Sequence, residues 1–309
     1  MTKLAWVFPG QGSQSVGMLA DLAAKYSLVQ KTFEAASQTL GYDLWELVQN
    51  DSKQQLGQTH ITQPALLASS YAIYKVLREL GVAEPDFFAG HSLGEYSALL
   101  CAGVIEFGEA LTLVEARGQF MQQAVPAGVG AMYAIIGLDD ADVIASCQQA
   151  ESKTKQIVSA VNFNSPGQIV IAGNTEATAL AAELCKEAGA KRALPLSVSV
   201  PSHCALMKPA ALQLADMLAK MKFNSPQVPV INNVDVAMPA DPELIKKALI
   251  EQLYSPVRWT ETVQKLASLG VQTVYEVGPG KVLTGLIKRI DKSLSCEAIN
   301  SESSVASII

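Results

Sequence analysis

Residues 87–100 read FFAGHSLGEYSALL. Two aromatic residues lead a short apolar stretch, and an apolar run with helical character follows it. Between them lies Gly90-His91-Ser92-Leu93-Gly94, which satisfies the pattern Gly-x-Ser-x-Gly. Five residues of this kind meet by chance, so Ser92 is either a nucleophile or a turn serine. The context decides between them. A strand that turns sharply into a helix needs small residues on both sides of the turn. It leaves the central serine at the end of a strand and the start of a helix, where backbone N–H groups favour a developing oxyanion. The N–H of Leu93 is the natural donor.

Outward from this turn, strand-like and helix-like runs alternate. LAWVFP (4–9) reads as a buried strand that ends in the Gly-rich loop GQGSQSVG. Residues 17–40 and 63–80 read as helices, the second opening at Gln63-Pro64, with Leu93 to Ala102 and Glu109 to Ala124 after them. Such alternation predicts an α/β domain with a mostly parallel sheet. The pattern changes near Gly128. AMYAIIGL (131–138), 139–150, IVSAVNF (157–163), QIVIAG (168–173), 175–189 and KRALPLSVS (191–199) read β-α-β-β-α-β, the order of a ferredoxin-like unit. The expected organisation is a large domain of residues 1–127 and 198–309 with a small domain, 128–197, inserted. Beyond it, 204–221, 257–270 and 281–290 read as helices, and 228–234 and 273–278 as strands.

Composition fits one large buried core. The chain has 309 residues, 49% hydrophobic and 17% charged, with a formal net charge of −6. That balance argues against wholesale binding to nucleic acid or to anionic lipid. The five cysteines form no Cys-x-x-Cys pair and fit reduced thiols. The N-terminus reads as a strand, not a signal peptide, and no stretch is long and apolar enough to span a bilayer. The expected location is the cytoplasm. Two Gly-rich spots fail as nucleotide sites: Ser15 stands where a dinucleotide fingerprint needs its third glycine, and Val282 follows Gly278-Pro279-Gly280-Lys281.

A serine nucleophile needs a base, and the chain has three histidines. His60 lies in a polar stretch. His91 adjoins Ser92, and neighbouring side chains at such a turn diverge. His203, in VSVPSHCALM, lies ahead of a predicted helix whose N-terminus disfavours imidazolium. If Ser92 is catalytic, elimination selects His203; otherwise a lone histidine is a structural residue. The acids between them, such as Asp139, Asp140 and Asp142, fall in the small domain. The expectation is a Ser-His dyad whose imidazole is oriented by a carbonyl. Arg117 falls on the apolar stripe of its helix, and a buried guanidinium needs a partner. That partner is either a protein carboxylate or the carboxylate of a ligand, which a planar guanidinium grips in two places. Gln11, between two glycines at the end of the first strand, is either a donor to an oxyanion or an ordinary loop residue.

The chain resembles the bacterial malonyl-CoA:acyl carrier protein transacylases. The stretches that carry the resemblance are FPGQGSQSVGM (8–18), TQPALL (62–67), GHSLGEYSAL (90–99), EARGQFMQ around Arg117, GAMYAIIGL (130–138) and VNFNSPGQIVIAG (161–173). PSHCALMKPA (201–210), INNVD (231–235), QLYSPVRW (252–259) and YEVGPGKVLTGL (275–286) continue it. The resemblance implies an α/β-hydrolase-like core with an inserted ferredoxin-like subdomain. It implies Ser92 as the acyl-accepting nucleophile, His203 as its base, and the Gln11 side chain and Leu93 N–H as oxyanion contacts. Arg117 would hold the free malonyl carboxylate, and the main-chain carbonyl of Gln252 would orient the imidazole. It further implies a ping-pong transfer of malonyl from coenzyme A to the phosphopantetheine thiol of acyl carrier protein, in fatty acid synthesis, by a monomer without metal or cofactor. A serine esterase or thioesterase shares the elbow, and a non-catalytic acyl-binding module is the remaining alternative. Lys186, Lys191, Arg192, Lys288 and Arg289 are either contacts for an acidic carrier or ordinary solvated charges.

Overall fold

The first strand shows how the sheet is buried on both faces. Its alternation sends Trp6 and Phe8 to one side and Ala5 and Val7 to the other, and all of them are fully buried. The computed structural model describes residues 3–197 and 200–309. The strand is β1 (Lys3–Phe8), followed by helices α1 (Ala20–Lys25), α2 (Ser27–Leu40), α3 (Leu44–Asn50) and α4 (Thr59–Glu79). Then come β2 (Phe87–Gly90), α5 (Leu93–Cys101) and α6 (Phe107–Ala124). A second unit contains β3 (Gly130–Ile136), α7 (Asp140–Thr154), β4 (Val158–Ser165), β5 (Gln168–Asn174), α8 (Thr175–Glu187) and β6 (Arg192–Pro195). The chain continues through α9 (Lys208–Leu218), β7 (Val230–Ile231), α10 (Pro242–Gln252) and α11 (Trp259–Ser268). It ends with β8 (Val271–Val277), α12 (Val282–Ile290), β9 (Ser295–Ile299) and α13 (Glu302–Ala306).

The larger sheet is five-stranded, in the order β7-β2-β1-β8-β9, and each neighbouring pair is parallel. Its register pairs Phe8 with Gly90 and Ala89 with Ile231. The residues that leave these three strands therefore emerge side by side at the carboxyl edge: Pro9 and Gly10, His91 and Ser92, Asn232 and Asn233. In open parallel sheets this edge is where sites form. The smaller sheet is antiparallel, in the order β4-β5-β3-β6, which is the ferredoxin-like arrangement expected from the sequence. One face packs α7 and α8 around Ile135, Val143, Ile169 and Ala181. The other face carries Met132, Val161 and Val170 against Cys204, next to His203. The five cysteines are buried and free. No helix among the described residues is long and apolar enough to cross a membrane.

Several elements depart from their expected bounds. The helix predicted over 17–40 is broken at Tyr26, whose extended backbone lets Leu22 and Phe33 both reach the core. The helix expected to open at Gln63-Pro64 begins earlier, at Thr59. The Thr62 hydroxyl donates to the carbonyls of Leu56 and Gln58 and anchors that earlier turn, so Pro64 lies inside the helix. The strand predicted over 191–199 is confined to Arg192–Pro195, and residues 198 and 199 of that prediction lie outside the described ones. The strand predicted over 228–234 shrinks to Val230–Ile231. Helices α3, α10 and α13 and the edge strand β9 have no counterpart among the elements expected from the sequence.

The glycines of the elbow are space requirements. A Cβ on Gly90 would sit inside the Gly94 peptide, and one on Gly94 would collide with the Phe8 carbonyl. Gly285, exposed on α12, has open space where an added Cβ would sit, with nothing within 4 Å. Gly285→Ala is therefore expected to raise stability by about 0.5–1 kcal/mol, seen as a higher melting temperature by calorimetry. Gly90→Ala should lower it by several kcal/mol or prevent folding. Equal melting temperatures for the two variants would contradict the packing described at the elbow.

Candidate active site

Ser92 bridges β2 and α5 with φ 52° and ψ −107°, a conformation that few non-glycine residues adopt. Such strain persists only where the surroundings over-determine it. Here Asn233 does so from the neighbouring strand end. Its Oδ1 accepts from the Ser92 N–H at 2.7 Å, and its Nδ2 donates to the Gly90 carbonyl at 2.7 Å. Leu93 is the first residue of α5, so its N–H has no partner within the helix.

His203 meets the serine from across the sheet edge. Its Nε2 lies 2.8 Å from Ser92 Oγ, and its Nδ1 lies 2.7 Å from the main-chain oxygen of Gln252. A carbonyl can only accept, so Nδ1 carries the proton and Nε2 presents a lone pair to the hydroxyl. The imidazole is therefore oriented by a carbonyl, and no carboxylate takes part. Burial, reinforced by the positive charge of Arg117, pushes the ring's pKa down to about 3. The ring is neutral and ready to accept a proton. The cause differs from the one expected, because desolvation and a nearby cation do what the sequence assigned to a helix N-terminus.

Arg117 is 1% exposed. Nη1 donates to Gln63 Oε1 at 2.8 Å and Nη2 to Gln252 Oε1 at 2.9 Å. Nη2 also lies 3.4 Å from Ser92 Oγ, and Cζ stands 5.1 Å from the centre of the Tyr96 ring. Among the described residues no carboxylate forms an ion pair with it, and Nε has no hydrogen-bond partner. The guanidinium is thus held by neutral oxygens, beside the Ser92 hydroxyl.

The remaining residues fall as follows. His91 is turned away from Ser92. Its Nε2 lies 2.8 Å from Asn164 Oδ1 on β4, and its ring packs against Trp259. His60 sits in the first turn of α4, with Nδ1 2.7 Å from Gln122 Oε1. Gln11 is exposed, and its amide donates to Thr59 Oγ1 at 3.5 Å, so the structure does not bring it onto Ser92. Asp139, Asp140 and Asp142 open α7 in the smaller unit.

Four groups around the site were not apparent from the sequence: Gln63, Asn233, Glu95 and the side chain of Gln252. Glu95 is an acid inside a wholly buried helix, 1% exposed. Its Oε2 accepts from the Asn233 N–H at 2.9 Å and from Gln252 Nε2 at 2.8 Å. Burial pushes its pKa up to about 7 against those hydrogen bonds and the pull of Arg117. An acid in the apolar run LGEYSALL was the one available signal for it.

A hydroxyl, a neutral base, a free helix N–H and a buried cation together suit acyl transfer to or from a group that carries a negative charge.

Comparison with known proteins agrees with this chemistry. The acyl transferase domain model matches residues 5–309. The chain is 59% identical over 309 residues to the malonyl CoA-acyl carrier protein transacylase of Escherichia coli (strain K12), covering 100% of this chain and 99% of that one. A crystal structure of an acyl carrier protein S-malonyltransferase from Vibrio cholerae superposes with a TM-score of 0.97 at 62% identity, covering 100% of both chains. A malonyl-transacylase in complex with its type II PKS acyl-carrier protein gives a TM-score of 0.98 at 57% identity, covering 99% of each chain. The chain belongs to the acyl transferase family, among the malonyl-CoA:acyl carrier protein transacylases.

Proposed function

We propose that this chain moves the malonyl group from malonyl-CoA to the phosphopantetheine thiol of acyl carrier protein, through a malonyl ester of Ser92, in fatty acid synthesis. One observation carries the site assignment. Ser92 Oγ stands 2.8 Å from a neutral His203 Nε2 and 3.4 Å from a buried guanidinium that has no carboxylate in contact among the described residues.

The steps follow from these positions. Ser92 gives its proton to His203 Nε2 and attacks the thioester carbonyl. The imidazolium formed is stabilised by the Gln252 carbonyl at Nδ1. The oxyanion takes a hydrogen bond from the Leu93 N–H. A second donor is the Gln11 amide, which would exchange its long contact with Thr59 for the oxyanion. Loss of one such donor typically costs about 10²–10³-fold in rate. His203 returns the proton to the departing coenzyme A thiolate. The carrier thiol then repeats the sequence in reverse, with His203 taking its proton. Arg117 holds the free malonyl carboxylate throughout, in place of a protein partner. Every proton in this scheme moves between Ser92, His203 and the two thiols, so the reaction calls for no metal or cofactor.

The carrier is acidic, and two of the basic residues, Arg192 and Arg289, come together at Gln168. Arg192 opens β6, in register with Ile136, which pairs in turn with Gln168. Arg289 at the end of α12 donates to that Gln168 side chain. Lys191 and Lys288 adjoin these two arginines, and Lys186 lies on α8. We assign the carrier contact to the surface around Gln168, and the working unit to a cytoplasmic monomer.

Two outcomes are expected. With malonyl-CoA alone the protein should release coenzyme A in a single burst, and sustained turnover should require holo acyl carrier protein. Rapid sustained release without the carrier would instead indicate a hydrolase. Arg117→Ala should lose malonyl transfer and gain acetyl transfer relative to it, because rejection built on an unpaired buried charge is large, on the order of 10²-fold or more. Competition between malonyl-CoA and acetyl-CoA measures this. A preference for malonyl that survives the substitution would remove Arg117 from the role given to it.

A further inference from the structure

The charge of Arg117 has a counter-charge one residue removed. The Gln252 amide donates from Nε2 to Glu95 Oε2 at 2.8 Å and accepts at Oε1 from Arg117 Nη2 at 2.9 Å. Because the carboxylate can only accept, Nε2 must face Glu95, so Oε1 must face Arg117. Glu95 therefore sets the direction of the hydrogen bond that holds the guanidinium. The free protein buries one acid and one cation in this cluster. A malonyl carboxylate on Arg117 would bring a second anion to the same cation. Carboxylates that share a low-dielectric site do not both stay ionised.

We propose that Glu95 is a positioning residue that balances Arg117 in the free enzyme and takes up a proton from solvent when the malonyl carboxylate occupies the guanidinium. This rests on the assignment of Arg117 to that carboxylate. The balance is simple: carboxylate and solvent proton become carboxylic acid, and the proton returns to solvent when malonyl leaves on the carrier thiol. The receiving atom is Oε1, which has no hydrogen bond among the described residues. A cavity of about 10 Å³ beside Glu95, lined also by Asn232, Ile245 and Ala248, is close to the size of one water. The charged groups acting on Glu95 are Arg117 from α6 and Asp235 from the turn after β7. From α10 come Ile245, Ala248 and the Gln252 amide, and Tyr96, next to Glu95 on α5, is the titratable neighbour that feels its charge. Burial already holds the carboxyl near neutrality, at about 7, so a modest added repulsion suffices to protonate it.

The test is a proton count during acylation. Protein and malonyl-CoA are mixed without carrier near neutral pH, in weak buffer with an indicator dye, and acylation is read by intact mass. Exchange of a thioester for a serine ester and a protonated thiol consumes almost no proton there, since a thiol titrates near ~8.5. The expected uptake rises toward roughly half a proton per malonyl-serine formed. Glu95→Gln should acylate with no uptake. Its KM for malonyl-CoA should stay flat with pH, whereas that of the wild type rises by up to about tenfold per unit above neutrality. Acylation of the wild type without proton uptake would overturn the proposal and leave the malonyl-serine assignment intact, and this arm requires no variant. Equal uptake by Glu95→Gln would also overturn it. Absence of any malonyl-serine would overturn both assignments.

Discussion

The site depends on a buried cation with no anion in contact among the described residues. Arg117 is among the largest fully buried side chains, and side-chain carbonyls of Gln63 and Gln252 hold it 3.4 Å from Ser92 Oγ. Removing a charge from water costs several kcal/mol, and neutral acceptors offset only part of that. Under the proposed function a ligand carboxylate would offset the rest, so an acyl group with a free negative end would gain what an uncharged one cannot. The same charge acts on the base. It adds to burial in keeping the His203 ring neutral in the resting protein.

The scaffold serves this arrangement through a few backbone positions. Parallel register brings the ends of β1, β2 and β7 together, and the elbow glycines let α5 press against β1. Asn233 then ties the strained Ser92 to the end of β7, and its own N–H reaches Glu95. Gln252, at the end of α10, joins the rest. Its main chain orients His203, and its side chain links Arg117 to Glu95 and to the Ser92 carbonyl. One glutamine thus connects Ser92, His203, Arg117 and Glu95.

Much of this was legible in the residues. LAWVF and FFAG read as buried strands because both faces are apolar, and the elbow follows from two glycines flanking a serine. Elimination among three histidines points to His203 if Ser92 is catalytic, and that ring does lie against the Ser92 hydroxyl. The antiparallel unit was visible from strand order and the turn at 164–167. What was hidden depends on tertiary contact. Gln63 stands in a helix whose start lies earlier than its proline suggests, so its inward face was not apparent. Asn233 follows a strand only two residues long. Glu95 looks like a solvent acid until its helix is seen to be buried all round. A local pattern does not encode which side-chain amide meets which charge. Gln11, which the resemblance sets on the oxyanion, makes a long contact with Thr59 in the free protein.

The central claim is that Ser92 carries the malonyl group with its free carboxylate on Arg117. The most direct measurement is peptide mapping of protein quenched in acid after brief exposure to an equimolar mixture of malonyl-CoA and acetyl-CoA. The account predicts malonyl, and almost no acetyl, on the peptide that contains Ser92 and on no other. Malonyl on a different residue, or equal amounts of the two acyl groups on Ser92, would contradict it.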